Sequence, residues 1–364
     1  MLRRAIKEFR VLLLDQRGTG LSERISQRSL LKQGESVAQA SYLKHFRADS
    51  IVRDAELIRG QLLKPGEQWT VLGQSFGGFI ATSYLSLAPE GLAAVLISGG
   101  LPPIGSSVDE IYRTLAERVI AKNRLYYARY PEDVDRVAEI VTFLKAKQVL
   151  LPNGDPLTVE RFLALGLIFG FSYGFETLHY LIEGAFDTPD ELSYQFLHGV
   201  ENGLHFDTNP LYALLHEAIY CERSASNWSA ARVSSRMPEF QHNAAPYLFT
   251  GEMVFPWMFE QYGTLKPLRG AANLLAQESE WSALYDLNAL RRSEVPVVAT
   301  VIYDDMYVDR ALSERTASEI RGLKLWVTNE FEHDAIRSHG EQVLDRMLSL
   351  LRGNIDYAAG LVTT

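Results

Sequence analysis

Residues Glu67–Pro89 read EQWTVLGQSFGGFIATSYLSLAP. Trp69–Leu72 is a short apolar run, Gly73-Gln74-Ser75-Phe76-Gly77-Gly78 turns the chain, and Phe79–Leu87 continues with apolar residues at helical spacing. A strand, a tight turn and a helix form the context that a G-x-S-x-G nucleophile elbow requires. The glycines have a steric purpose. A serine at the tip of such a turn sits in a strained backbone conformation, and side chains at Gly73 and Gly77 would crowd strand against helix. Ser75 is therefore the candidate nucleophile, and the plainer reading is an ordinary Gly-rich turn.

The same rhythm extends outward from the elbow. Phe9–Leu14 (FRVLLL) is an apolar run that predicts a strand, closed by Asp15-Gln16-Arg17-Gly18-Thr19-Gly20. Ser22–Ser41 reads as loop, His45–Leu63 as a helix stopped by Lys64-Pro65-Gly66, and Leu92–Ile97 (LAAVLI) as a further strand. Strands apolar throughout belong to a parallel sheet covered on both faces, and the order β, α, β, α, β predicts an α/β sheet of doubly wound or hydrolase type.

After Pro103 the pattern changes. Ser107-Val108-Asp109-Glu110 is a capping box for a helix running to about Arg129. Helical stretches follow near Pro131–Gln148, Val159–Phe169, Phe175–Ala185, Glu191–Val200, Pro210–Ile219 and Pro256–Tyr262, with no alternating strands. This block reads as a helical lid. From Val295 the α/β rhythm returns: Val295–Tyr303 is a strand with Asp304-Asp305-Met306-Tyr307 at its end, Arg310–Arg321 a helix, and Leu323–Thr328 a strand. Asn329–Asp334 is a loop, and Ser338-His339-Gly340-Glu341 caps a final amphipathic helix. The expected organisation is thus residues 1–101 as the first part of the core with the elbow, 102–290 as a helical cap or lid, and 291–364 as the second part of the core, with an acid and a histidine.

The chain of 364 residues is 47% hydrophobic and 22% charged, the balance of a globular protein with ample length for a deep core. A net charge of −9 speaks against nucleic acid or an anionic membrane surface as partner. The single cysteine, Cys221, excludes an intramolecular disulfide, and the eight histidines show no paired metal spacing, so no metal is expected. No apolar run approaches a membrane span, and Val11–Leu14 is too short for a signal-peptide core, which makes the cytoplasm the expected compartment.

A serine hydroxyl needs an oriented base, itself held by a carboxylate. In α/β hydrolases these partners follow the nucleophile in the order acid, then histidine. Asp305 is preferred over the adjacent Asp304, because the two side chains cannot both face the base. His333 in NEFEHDAIR, leaving the last strand, is preferred over His339, which lies in a helix cap. The backbone N–H of Phe76 supplies one donor to a developing oxyanion. The second normally comes from a Gly-rich loop after an earlier strand, and no such loop precedes Phe9.

GQSFGG, DQRGTGLS, YDDMYV and NEFEHDAIR together resemble the proline iminopeptidases (prolyl aminopeptidases) of the α/β-hydrolase superfamily. The resemblance runs from about Phe9 to Leu351 and is looser through the lid. It implies an α/β-hydrolase sheet, shortened at its N-terminal side, with a large helical lid inserted after the third visible strand. It also implies release of N-terminal proline from a peptide through an acyl-enzyme, with no cofactor. Ser75 would be the nucleophile, His333 the general base and then acid, and Asp305 its orienter. Family members bind the free amino terminus through lid carboxylates. The candidates are Glu217 in LLHEAIY and Glu252 in FTGEMVFPW, both flanked by aromatics, with Glu176 in YGFETLHY in reserve. Paired carboxylates would bind the secondary ammonium of proline and reject blocked peptides. Members begin with strands and an H-G-G-P-G-like loop ahead of the DQRG strand. Their absence here predicts an unpaired sheet edge and one missing oxyanion donor. The alternatives are a serine esterase or amidase of the same fold, or a catalytically impaired homologue.

Overall fold

Leu92–Ser98 and Val297–Ile302 are apolar on both faces because each is packed on both. Successive side chains of a strand point to opposite sides. Val95, Ile97, Val297, Ala299 and Val301 meet Val52 and Ala55 of helix Ala48–Leu62 and Tyr84 and Leu85 of helix Phe76–Leu87. On the other side Leu96, Val298 and Ile302 meet Val343, Leu344, Met347 and Leu348 of helix Gly340–Arg352. Each such side chain contributes about 1.5–3 kcal/mol by leaving water, so these two layers anchor the unit.

The computed structural model describes residues 1–243 and 245–354; the remainder of the expected 291–364 segment, from residue 355, lies outside them. Among the described residues the sheet has four parallel strands, β1 (Trp69–Gln74), β2 (Leu92–Ser98), β3 (Val297–Ile302) and β4 (Lys324–Thr328), in that spatial order. Parallel pairing places Gln74, Ser98, Ile302 and Thr328 at one edge of the sheet, the carboxyl ends, where open α/β sheets bind ligands. This is the α/β-hydrolase arrangement expected from the sequence.

The expected strand at Phe9–Leu14 is not one. A strand is made by its ladder with a neighbour, and among the described residues none pairs with it. The segment runs without regular structure, with Phe9, Leu12, Leu13 and Leu14 exposed.

The chain forms two compact units. The first comprises Met1–Gln16, Ala48–Gly105 and the chain from Ala283; the second comprises Arg17–Arg47 and Ser106–Ser282. This differs from the expected 1–101 segment, since residues 17–47 belong with the helical unit. The reason is local packing. Ser36 of helix Ser36–Leu43 sits against Gly270 of helix Arg269–Gln277, Leu43 is fully buried, and Lys44 pairs with Glu278. Arg47 donates to the Cys221 carbonyl and lies 4.5 Å over the Trp281 ring. A 3-10 turn at Lys44–Phe46 interrupts the single helix expected over His45–Leu63.

The second unit is mainly helical, with two short antiparallel hairpins, Val149–Leu150 with Pro156–Leu157 and Phe186–Thr188 with Glu191–Leu192. Its longest helix is Val108–Arg129, whose start is capped by Ser107 Oγ accepting from Glu110 N–H at 3.2 Å. Aromatic rings fill the interior: Phe249 meets Phe162 and Phe169 at 5.5 Å each. Asn123 fixes that ring by exchanging both backbone hydrogen bonds with Phe249, at 2.8 and 2.9 Å. Among the described residues no helix is long and apolar enough to cross a membrane.

Candidate active site

Ser75 directly follows β1 and immediately precedes helix Phe76–Leu87, with φ 55° and ψ −125°. A non-glycine residue at positive φ costs on the order of 1–3 kcal/mol and persists only where the surroundings enforce it. The enforcement is visible. Ser75 N–H donates to the Ser98 carbonyl of β2 at 3.1 Å, and its own carbonyl accepts from Gly78 N–H at 2.7 Å. The turn is so tight that a Cβ on Gly73 would stand 2.0 Å from the Gly77 carbonyl oxygen. Gly77, in contrast, faces open space, so the expected crowding there is absent. The close approach belongs to the backbone of Gly77 and not to its missing side chain. Gly73→Ala is therefore expected to abolish cooperative folding. Gly77→Ala should leave the melting temperature unchanged or raise stability by up to about 1 kcal/mol, as alanine in a helix does. Thermal denaturation of the two variants checks the contrast.

The elbow presents Ser75 Oγ 2.9 Å from His333 Nε2. His333 Nδ1 lies 2.8 Å from Asp305 Oδ2. Three segments far apart in sequence meet because β1, β3 and β4 end at the same sheet edge. Asp305 follows β3, is buried, and its Oδ1 accepts from the N–H groups of Tyr307 at 2.8 Å and Val308 at 3.1 Å. His333 follows β4 in a loop whose carbonyl at His333 accepts from Gln74 Nε2 at 3.4 Å, and the Tyr307 ring packs edge-on against the imidazole at 4.7 Å. Gly99, at φ 54°, passes beside the pair; a Cβ there would lie 3.4 Å from His333 Nδ1.

Asp304 is exposed, and His339 turns to Ser338 Oγ at 3.0 Å, so neither joins this group. Phe76 N–H occupies the first position of its helix, where the amide has no intrahelical acceptor and points to where negative charge is welcome. Tyr307, Val308, Gln74 and Gly99 are the contributors that sequence reasoning missed. A signal existed for two of them: an aspartate followed by turn residues at plus two and plus three is the pattern of a side chain accepting from its own downstream backbone. Chemically, the array offers a hydroxyl, a base able to take its proton, and a buried carboxylate that can hold the imidazolium.

The relatives carry the identification. The chain is 49% identical over 352 residues to the proline iminopeptidase of Aeromonas sobria, covering 96% of this chain and 82% of that protein. The chain belongs to the proline iminopeptidase family. Proline iminopeptidase aneH of Aspergillus aculeatus is 39% identical, covering 96% of this chain and 80% of that protein. The family described as alpha/beta hydrolase fold matches residues 2–168. Among solved structures, proline iminopeptidase of Mycobacterium smegmatis aligns over 93% of this chain and 78% of its own, with a TM-score of 0.43 at 13% identity.

In this proline iminopeptidase family member the two candidate carboxylates of the helical unit are differently placed. Glu217 is buried, and burial raises its pKa; its Oε1 accepts from Ala230 N–H at 2.9 Å and its Oε2 from Ser229 N–H at 3.1 Å. Both oxygens are thus turned onto the start of helix Ser229–Ser234. Glu252 is half-buried and accepts from Tyr212 Oη at 2.6 Å through Oε1, and its backbone carbonyl meets His216 Nε2 at 3.1 Å. The reserve candidate, Glu176, is paired with Arg129 on the surface.

A separate acidic group also stands out in the helical unit. Glu132, Asp133 and His179 bring ligand atoms within 4.8 Å of one another. Buried Asp133 already accepts from Tyr126, from His179 Nδ1 at 3.0 Å and from Arg136 at 3.1 Å, so this family member uses the cluster to staple three helices.

Proposed function

We propose that this chain is a serine aminopeptidase that releases N-terminal proline from peptides through an acyl-enzyme. The observation that carries the reading is the Ser75–His333–Asp305 array, at 2.9 and 2.8 Å, in a chain of the proline iminopeptidase family. Ser75 Oγ attacks the prolyl carbonyl carbon while His333 Nε2 takes its proton. Phe76 N–H donates to the oxygen as it becomes negative. Collapse of the tetrahedral adduct breaks the peptide bond, with His333 returning the proton to the departing amine. Water, activated by the same imidazole, then attacks the ester, and proline leaves with Ser75 restored. Asp305 keeps Nδ1 protonated throughout. Every proton and electron pair is accounted for by groups of the chain, substrate and water.

The substrate's ammonium needs a carboxylate, and Glu252 is the one we assign to it. Glu217 acts by holding the segment Glu217–Tyr220 against helix Ser229–Ser234. Glu252→Gln is expected to raise KM for proline 4-nitroanilide by about 10- to 100-fold, the worth of one charge-assisted hydrogen bond. It should leave hydrolysis of the amine-free ester 4-nitrophenyl acetate within about threefold. Glu217→Gln should instead lower the melting temperature, since one amide face of glutamine cannot accept from a backbone N–H. Steady-state kinetics on both substrates, with thermal denaturation, separates the two roles.

The activity itself is tested with proline 4-nitroanilide and its N-acetyl derivative. Release from the free amine alone supports the reading; equal turnover of the blocked substrate points to an amidase of the same fold. The working compartment we propose is the cytoplasm, which suits a chain whose one cysteine is free and buried.

A further inference from the structure

Within the helical unit, a cavity of about 250 Å³ opens where two loops meet. Gly18, Thr19, Gly20 and Arg24 line one side, and Thr208 and Asn209 the other. Pockets that take drug-sized molecules run from about 300 to 1,000 Å³, so this one suits a smaller ligand. The first loop is folded onto itself. Ile25 N–H donates to the Gly18 carbonyl at 2.9 Å, and Gly18 and Gly20 stand at φ 84° and 53°, where glycine fits without strain. Gly18 is also pressed on its neighbours: a Cβ there would lie 2.8 Å from Leu211 Cδ2 and 2.9 Å from Phe46 Cδ1. Leu211 belongs to helix Pro210–Leu215, which follows Asn209 directly, so this contact fixes the two sides of the cavity against each other.

The lining is polar and carries one charge. Arg24 forms no ion pair among the described residues, and its guanidinium makes a single long bond, from Nη2 to the Gly20 carbonyl at 3.4 Å. In a chain of net charge −9 this leaves a guanidinium fork open to a carboxylate. The Thr208 hydroxyl and the Asn209 carboxamide also make no hydrogen bond among the described residues. The flanking acids stay out of the cavity: Glu23 does not line it, and Asp207 takes the Thr264 hydroxyl. A guanidinium donates two parallel N–H bonds to a planar carboxylate, and hydroxyl and carboxamide donors can meet its remaining lone pairs. A phosphate carries about −1.5 to −2 at neutral pH and would be left partly uncompensated beside a single cation. No aromatic or large aliphatic side chain lines the cavity to hold an apolar ligand. We propose that this cavity binds a small free carboxylate, the size of an amino acid or its N-acyl derivative, with Arg24 as its anchor. The site is built from the helical unit alone and shares no residue with the Ser75–His333–Asp305 array.

The test is a binding titration of the whole protein, followed by ligand-observed NMR, with three probes. N-acetylglycine carries a carboxylate and no free amine, N-acetylglycinamide lacks the carboxylate, and inorganic phosphate offers the other common oxoanion. N-acetylglycine should bind at least about tenfold more tightly than its amide, and Arg24→Gln should weaken it by about 10- to 100-fold, the worth of a charge-assisted pair. Arg24→Lys, which keeps the charge and loses the fork, should fall between the parent and Arg24→Gln. Thr208→Val and Asn209→Ala should each weaken binding by about 2- to 10-fold. Arg24 is exposed, so the melting temperature of Arg24→Gln should match that of the parent. Equal binding of acid and amide overturns the proposal, as does an Arg24→Gln protein that binds N-acetylglycine like the parent. Binding of phosphate without N-acetylglycine overturns it as well, by assigning the cavity to a different anion. Proline release enters none of these readouts, so this inference stands or falls separately from the aminopeptidase reading.

Discussion

Ser75→Ala is expected to lower kcat for proline 4-nitroanilide by about 10⁵–10⁶-fold, the scale seen when the nucleophile of a serine hydrolase is deleted. In the proposed mechanism the hydroxyl at 2.9 Å from His333 Nε2 is the atom to be acylated, and alanine offers nothing in its place. The fold should tolerate the change, because the backbone bonds that hold residue 75 at positive φ, from Ser75 N–H to Ser98 and from Gly78 N–H to Ser75, do not involve the side chain. His333→Ala should cost a similar factor, and the double variant little more than either single one, since a nucleophile and its base act as a unit. Full additivity in that cycle would show that the two side chains work independently and would defeat the assignment. A fluorophosphonate probe gives a second measurement: labelling should be lost in Ser75→Ala and strongly slowed in His333→Ala.

Asp305→Asn is the next largest effect, a fall of about 10⁴-fold in kcat. The structure supplies a specific reason. Two backbone N–H groups, of Tyr307 and Val308, donate to one oxygen of residue 305, so asparagine must keep its carbonyl there. Its NH₂ group then faces His333 Nδ1 at the position of Oδ2. Nδ1 becomes an acceptor, the proton moves to Nε2, and the imidazole can no longer take the Ser75 proton. Binding and fold should be preserved, so KM and melting temperature should change little. Asp304→Asn is the control: its side chain is exposed, and kcat should stay within about twofold. Equal losses at both positions would move the orienting role away from Asp305.

Much of this site was legible because its signals are local. The apolar runs of β2 and β3 and the turn at Gly73–Gly78 are set by periodicity and steric demand within a few residues. The order serine, acid, histidine could be read because the candidate acid and base each follow a strand. Other features were not legible, and each is non-local. Phe9–Leu14 has strand-like composition, yet a strand exists only through a neighbour, which lies elsewhere in the chain. Residues 17–47 read as loop and helix beside the sheet, but Leu43, Lys44 and Arg47 find their partners at Glu278, Cys221 and Trp281.

The two glutamates of the helical unit make the same point. Their aromatic flanks marked both as candidates, and nothing in HEAIY or GEMVF separates them. Tertiary contacts do: backbone amides at Ser229 and Ala230 donate to both oxygens of Glu217, and the Tyr212 hydroxyl donates to one oxygen of Glu252.

By itself, then, the sequence determined the elbow, the alternation of strands and helices, and the identities of the nucleophile, acid and base candidates, because bond geometry and side-chain period act over a few residues. Only the tertiary structure decided which glycine is sterically indispensable, which groups donate to each glutamate, and how Asp305 is locked. Those depend on hydrogen bonds and contacts between segments remote in the chain, and such contacts exist only once the apolar layers have packed.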